Sequence, residues 1–395
     1  MLQMGGTVKD VALSAFISGL AVAIGSIFWG KIIDTMHLRR TVIVISSASM
    51  AVLAALINLV STIESLILIS VILGFLTSGT GSVLNLLVME KSRREEWIKT
   101  INWTSMFSCT GIVMAMMMGF LWLQEHNVKS YATLCAAISL SSLVLAIAFI
   151  KDRFPENSNA ASSSRHRITP MAKQSKYAKL SVFASANTTI QSLYKITIDK
   201  KPFFFVAVLL YFFSGNLFFT PYTPFLKDNG ISDSEVFLAY SVLYLSQTII
   251  LPLSHRMIAS SEEKIGRLSY LPRMLGIVLV LATALLLSGS PSSVMVVTLI
   301  AFVLVDAAFS MWNTTIASSL MKMVQNGKSG TLMGINSSIT SAGLLAGSLV
   351  SGQVTAYSGY STTFILAMVT LAASFVMLSC SSRRKSTFTT YTERM

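Results

Sequence analysis

Charge is scarce in this chain. Over 395 residues only 12% are Asp, Glu, Lys or Arg, 53% are hydrophobic, and the mean hydropathy is +0.67. Soluble globular proteins carry about 25% charged residues, so a water-facing surface is excluded and lipid is the expected surrounding. Cysteine and histidine are also few. Cys109, Cys135 and Cys380 sit in or at apolar stretches, and His37, His126, His166 and His255 are scattered in or near loops. That pattern excludes a metal-ligand grouping and a disulfide framework. No nucleophile–base constellation is visible, so an enzyme is not expected. Gly327-Lys328-Ser329 has the end of a phosphate loop, but Lys322 stands where the earlier glycine is needed. No cofactor is therefore expected. No cleavable leader is evident, because the first apolar run is too long and its basic flank follows it.

Long apolar runs are what the chain does have. A helix needs roughly 20 apolar residues to cross a bilayer, and such stretches lie at 11–33, 41–61, 66–89, 101–123, 131–150, 202–226, 234–257, 268–289, 292–318, 331–354 and 358–380. The expected fold is an all-α polytopic membrane protein of about 11 spans. Residues 1–150 form a first bundle of five spans and 202–380 a second of six, with a linker at 151–201 and a tail at 381–395. With loops alternating between sides, 27 of the 30 basic residues fall on one side and three (Lys9, Lys129, Lys227) on the other. Basic loops stay cytoplasmic during insertion. The charge of +13 thus reads as a topology signal, not as nucleic-acid binding. It places the amino terminus outside, and the central loop and carboxyl tail inside. Within the linker, Leu180, Phe183, Ile190 and Tyr194 recur at helical spacing, interrupted by Asn187, beside Lys173, Lys176 and Lys179. This fits an amphipathic helix on the inner membrane face or a solvated linker.

The halves echo each other. Ser78, Ser82 and Asn85 fall at i, i+4 and i+7 in the third span, and Asp306, Ser310 and Asn313 repeat the spacing in the ninth. The next span in each half opens Ile-Asn (Asn102, Asn336) and continues with small residues, Gly111 and Gly119 in one, Gly343, Gly347 and Gly352 in the other. Duplicated halves with a site near mid-membrane mark secondary transporters. A six-plus-six duplication would need one more helix before residue 11, and an external amino terminus agrees with that expectation.

The turn after the first span reads Gly30-Lys-Ile-Ile-Asp34-Thr-Met-His37-Leu-Arg39-Arg40. It resembles the loop signature of the major facilitator superfamily, G-x-x-x-D-R/K-x-G-x-R/K-R/K. Gly30, Asp34, Arg39 and Arg40 match; Thr35 and His37 depart from it. The resemblance implies that this turn joins the family's second and third helices, and that Asp34 faces the amino-terminal end of the tenth span at Gly330 and Gly334. Arg39 or Arg40 would pair with Glu90. Such contacts would lock a cytoplasmic gate, weakened here by Thr35 and His37.

Candidate path residues follow from polarity inside apolar runs. Asp306 is the one carboxylate deep in a span, where a charge costs about 2.5–3.5 kcal/mol and so faces a cavity or partner. It is a candidate for solute binding or proton coupling, or for an interhelical contact. Asn216, Tyr222 and the neighbouring Pro221 and Pro224 in the sixth span, with Tyr240, Tyr244 and Gln247 on one face of the seventh, complete the set. The eighth span, mostly aliphatic from Gly276 to Leu287, is expected to face lipid. The resulting expectation is a monomeric carrier in the cell membrane, moving a small molecule by alternating access with protons as a candidate coupling ion. A non-transporting receptor or an inactive relative is the alternative.

Overall fold

The computed structural model describes residues 1–36, 39–80, 83–84, 96–149, 202–258, 262–286, 290–323 and 329–392. The helices are α1 (Val8–Met36), α2 (Arg39–Leu56), α3 (Ile63–Thr77), α4 (Trp97–Glu125), α5 (Val128–Phe149), α6 (Pro202–Asp228), α7 (Asp233–Ile258), α8 (Glu262–Leu268), α9 (Tyr270–Leu286), α10 (Pro291–Met323) and α11 (Ser329–Thr392). Nine described segments are long and apolar enough to cross a membrane, and Ile63–Thr77 is a shorter apolar helix. The last of the nine, Asn336–Ser381, runs 46 residues. It is divided at Gly359, whose φ of 82° leaves the helical region, a conformation a side chain would resist. The tenth and eleventh spans therefore meet at this break. The expected linker helix at 180–194 lies outside the described residues, and the tail expected from 381 continues α11 as helix to Thr392.

Local chemistry marks the helix starts on the side with few basic residues. At α1, Thr7 N donates to Asp10 Oδ2 at 2.7 Å and Asp10 N to Thr7 Oγ1 at 3.4 Å. At α7, Ser232 N donates to Glu235 Oε2 at 2.8 Å and Glu235 N to Ser232 Oγ at 3.3 Å. Both are reciprocal caps that satisfy otherwise orphaned amides. Thr62 accepts from Ser65 N at α3, and Asn127 from Ser130 N at α5. At the end of α6, Gly230 takes φ 81°. The amide of Ile231 then reaches back to Leu226 O at 3.1 Å, closing the helix with a left-handed glycine.

Packing differs between the halves. In the second, one core runs from Phe204 to Leu371 and includes Tyr211, Tyr222, Tyr270, Phe302, Trp312 and Phe364. Glycines bring its helices together: a Cβ at Gly347 would lie 2.5 Å from Phe213 O, and one at Gly276 would lie 3.0 Å from Ala301 O. Backbones this close gain packing contacts that lipid does not supply. In the first half the described buried cluster is Trp29, Val42 and Val83. Trp29 also donates from Nε1 to Phe75 O at 2.9 Å, tying α1 to α3.

Candidate functional site

The two halves meet along α1 with α11 and along α4 with α7. A Cβ at Gly19 would come within 2.7 Å of Leu345 Cδ2, and Gly352 leaves room for Ala12. Gly119 accommodates the Phe237 ring, which meets Tyr131 edge-on at 5.3 Å. Lys9 Nζ sits 4.4 Å from the centre of the Tyr357 ring, and Ser241 Oγ donates to Met117 Sδ at 3.3 Å. These contacts run from mid-helix to the ends next to the loops holding few basic residues. Of the five glycines singled out as repeat elements, Gly119 and Gly352 lie on this seam.

Asp306 lies near the middle of α10 and is 4% exposed. Its Oδ2 has no hydrogen-bond partner. Arg273 of α9 is the charged group whose field reaches it, and Asp306 in turn acts on Tyr244 of α7, Cys109 of α4 and Tyr211 of α6. The carboxylate thus stands between the interior of the second half and a helix of the first. Its stripe-mates diverge: Ser310 is buried and returns its hydroxyl to Asp306 O at 3.0 Å, whereas Asn313 is exposed.

Arg273 was not among the residues singled out by sequence. It is 3% exposed, and its Cζ stacks 3.9 Å above the Tyr211 ring. Tyr211 is itself stacked on Trp312, with centroids 4.6 Å apart, and Tyr270 meets Trp312 edge-on at 5.2 Å. Gly215 completes the socket, since a Cβ there would stand 2.7 Å from Arg273 Nη2. The guanidinium is held over the ring face; Arg273 Nε and Nη1 and Trp312 Nε1 are buried without hydrogen-bond partners, and the buried Tyr211 hydroxyl has the guanidinium as its electrostatic neighbour. The aliphatic reading of the eighth span thus needs refinement. Leu271, Leu275 and Leu285 are exposed as expected for a lipid-facing side, while Tyr270, Arg273, Gly276, Ile277, Val280 and Thr283 form a buried side.

Other candidate residues are placed as follows. Asn216 Nδ2 donates to Leu344 O at 2.9 Å and to Ser348 Oγ at 2.7 Å, joining α6 to α11. Tyr222 is enclosed in the second-half core and donates to Thr298 Oγ1 at 3.0 Å. Tyr240 and Thr223 hydroxyls are 3.0 Å apart, and Gln247 is buried at 8% exposure. Ser78 returns its hydroxyl to Phe75 O at 2.8 Å. Ser82, Asn85 and Glu90 lie outside the described residues. Gly30, Asp34 and Arg39 are in helical backbone, as are Gly330 and Gly334 in the opening turns of α11, and their side-chain surroundings lie outside the description. Arg40 Nη2 donates to Ile147 O at 2.8 Å, linking α2 to the end of α5.

Comparison with known proteins agrees with this architecture. Residues 1–343 match the family model described as Major Facilitator Superfamily. A comparison with curated protein sequences finds no match. Among solved structures, a mutant of the nucleoside transporter NupG superposes with a TM-score of 0.66 at 15% identity, covering 96% of this chain and 92% of that one. The human organic anion transporter MFSD10 (TETRAN) superposes with a TM-score of 0.61 at 14% identity, covering 94% and 83% respectively. At such identities the likeness concerns the fold.

Proposed function

The chain belongs to the major facilitator superfamily of secondary transporters, and on that premise we propose that it carries a small solute across the cell membrane by alternating access, with Asp306 as its proton-binding group. The observation that carries this reading is the position of Asp306. It is buried in an apolar helix, one carboxylate oxygen has no partner, and its field extends to helices of both halves. A carboxylate kept in such a place needs a partner or a proton. Its location near the meeting of the halves also suits a group whose ionisation biases their relative tilt.

The seam supports the same reading. Small residues and ring edges, rather than a continuous hydrophobic core, join α1 to α11 and α4 to α7. Such a contact can open and re-form as two blocks rock. At the opposite end we assign the gate to Asp34 against the first turns of α11 at Gly330 and Gly334, where helix amides favour an anion, with a pairing of Arg39 or Arg40 to Glu90 as its second contact. The basic loops put that gate, the central linker and the carboxyl tail in the cytoplasm. The solved relatives carry different solutes, nucleosides in one case and organic anions in another. The shared fold thus supplies the motion, and the side chains of each protein select the cargo.

The test is counterflow with the purified chain in liposomes, using a panel of radiolabelled metabolites and drug-like molecules. Saturable exchange that Asp306→Asn makes indifferent to pH is the expected result. Unchanged pH dependence in that variant would remove the coupling role, and absence of exchange with every solute would remove the carrier reading.

A further inference from the structure

The socket around Arg273 presents an unbalanced set of hydrogen-bonding groups. Arg273 Nε and Nη1 and Trp312 Nε1 only donate and are buried without partners, as is Asp306 Oδ2, which accepts while ionised; the Tyr211 hydroxyl, placed against the guanidinium, supplies one further acceptor. No hydrogen bond or ion pair joins Arg273 to Asp306, although the two charges sense each other. Buried polar groups left unpaired are costly, and a native fold keeps them where they serve a purpose. Here the unmet need is for an acceptor, and among the described residues of the cluster the guanidinium is the one fixed positive charge. Its planar fork suits a carboxylate.

Resting on the carrier reading above, we propose that Arg273 binds the carboxylate of a monoanionic solute, and that this solute and a proton on Asp306 are loaded together. Protonating Asp306 changes its role. The carboxyl gains a donor hydrogen, so donors outnumber acceptors further, and the cluster gains one positive charge for the incoming anion to neutralise. With nothing bound, Asp306 and Arg273 cancel. With one proton and one monoanion bound, the total is again zero. A proton alone or an anion alone leaves a buried uncompensated charge, which is strongly unfavourable. Only the empty and doubly loaded carriers are neutral, so the cycle is a one-to-one symport that moves no net charge.

The other groups whose charge couples to Asp306 are consistent with this arithmetic. Tyr211 from α6, Tyr244 from α7 and Cys109 from α4 are neutral when protonated, and Arg273 from α9 supplies the cation. The Tyr211 face and Gly215 hold one side of the guanidinium, leaving its remaining donors for the ligand.

The test uses the purified full-length chain in detergent. Thermal unfolding is followed at pH 5.5 and 7.5 against small carboxylates (lactate, benzoate, nicotinate), their neutral amides, and the cations choline and tetraphenylphosphonium. Carboxylates are expected to stabilise more strongly at pH 5.5, and amides and cations not at all. Arg273→Gln should abolish the effect and Arg273→Lys should retain part of it. Asp306→Asn should keep binding but lose its pH dependence. Gly215→Ala displaces the guanidinium without removing it, and is expected to weaken carboxylate binding at least tenfold in a chain that still folds. Reconstituted carboxylate uptake driven by a proton gradient should be unmoved by a potassium–valinomycin potential. Stabilisation by amides or cations but by no acid would overturn the anion assignment and leave the carrier reading intact. Stabilisation by no compound would count against both.

Discussion

In the second half, Tyr211, Tyr270, Trp312, Phe302 and Phe364 interlock into one core, whereas the described core of the first half is Trp29, Val42 and Val83. The helices are alike in apolarity but not in enclosure. Of the most apolar part of Val8–Ser26 and of Lys99–Glu125, 11% is buried, against 56% for Pro202–Asp228 and Pro291–Leu320. A membrane helix gains little from exchanging lipid for aliphatic neighbours. The aromatic and glycine contacts of the second half are therefore what make it a firm block. The buried charges are placed inside that block, where rigid walls can hold Arg273 without a direct ion pair. The first half supplies the other face of the seam.

This contrast is sharpest when the same chemistry is removed from each half. Trp312→Ala should lower unfolding stability by about 3–5 kcal/mol, measured by thermal or denaturant unfolding in detergent. Trp29→Ala should cost less than half as much, and equal losses would break the comparison. Glycines offer a second, smaller contrast. Gly347 abuts the Phe213 carbonyl, so Gly347→Ala should destabilise by about 1–3 kcal/mol through overpacking. Gly111 has nothing within 4 Å of an added Cβ. Gly111→Ala should instead stabilise by about 0.4–1 kcal/mol, as read in the same assay.

Two weaker interactions refine the picture. Asn216→Ala removes two hydrogen bonds between α6 and α11 and should cost about 0.6–1.7 kcal/mol, the range of single polar contacts between membrane helices. Lys9→Gln removes one cation–π contact at the outer seam, worth about 0.5–1 kcal/mol at an exposed site. Its expected signature is a modest rise in the population open on that side, read by accessibility of a cysteine placed at Ala12.

Much of this architecture is legible in the amino-acid sequence, for identifiable reasons. Apolar runs of span length and the uneven loop charges are set by the bilayer itself, so they appear without tertiary knowledge. Asp306 stood out because a carboxylate in an aliphatic run is too costly to persist there without a task. Arg273 did not, because it lies near the start of a run where basic residues ordinarily flank the inner membrane face. Its burial depends on Gly215 and Tyr211, in a helix nearly sixty positions earlier. The same limit applies to Gly343, Gly347 and Gly352. Their smallness announced close approach, but not that the first two serve α6 and the third serves α1. The reciprocal caps Thr7–Asp10 and Ser232–Glu235 were not singled out by sequence, yet they mark helix starts more sharply than hydropathy does. Polarity alone was a poorer guide in α6, where the Asn216 amide and Tyr222 hydroxyl are engaged within the second half.

The most direct measurement is the distance between spin labels on the ends of the two halves next to the basic loops, at Lys99 and Lys264, as pH is varied. It is made with benzoate present, so that proton and anion load together, in a background with Cys109, Cys135 and Cys380 replaced by Ser. If protonation of Asp306 biases the rocking of the halves, the distance distribution should shift between pH 5.5 and 8. Asp306→Asn should hold it in the low-pH form throughout. A shift of the same size in Asp306→Asn, or none in the parent chain, would contradict the account.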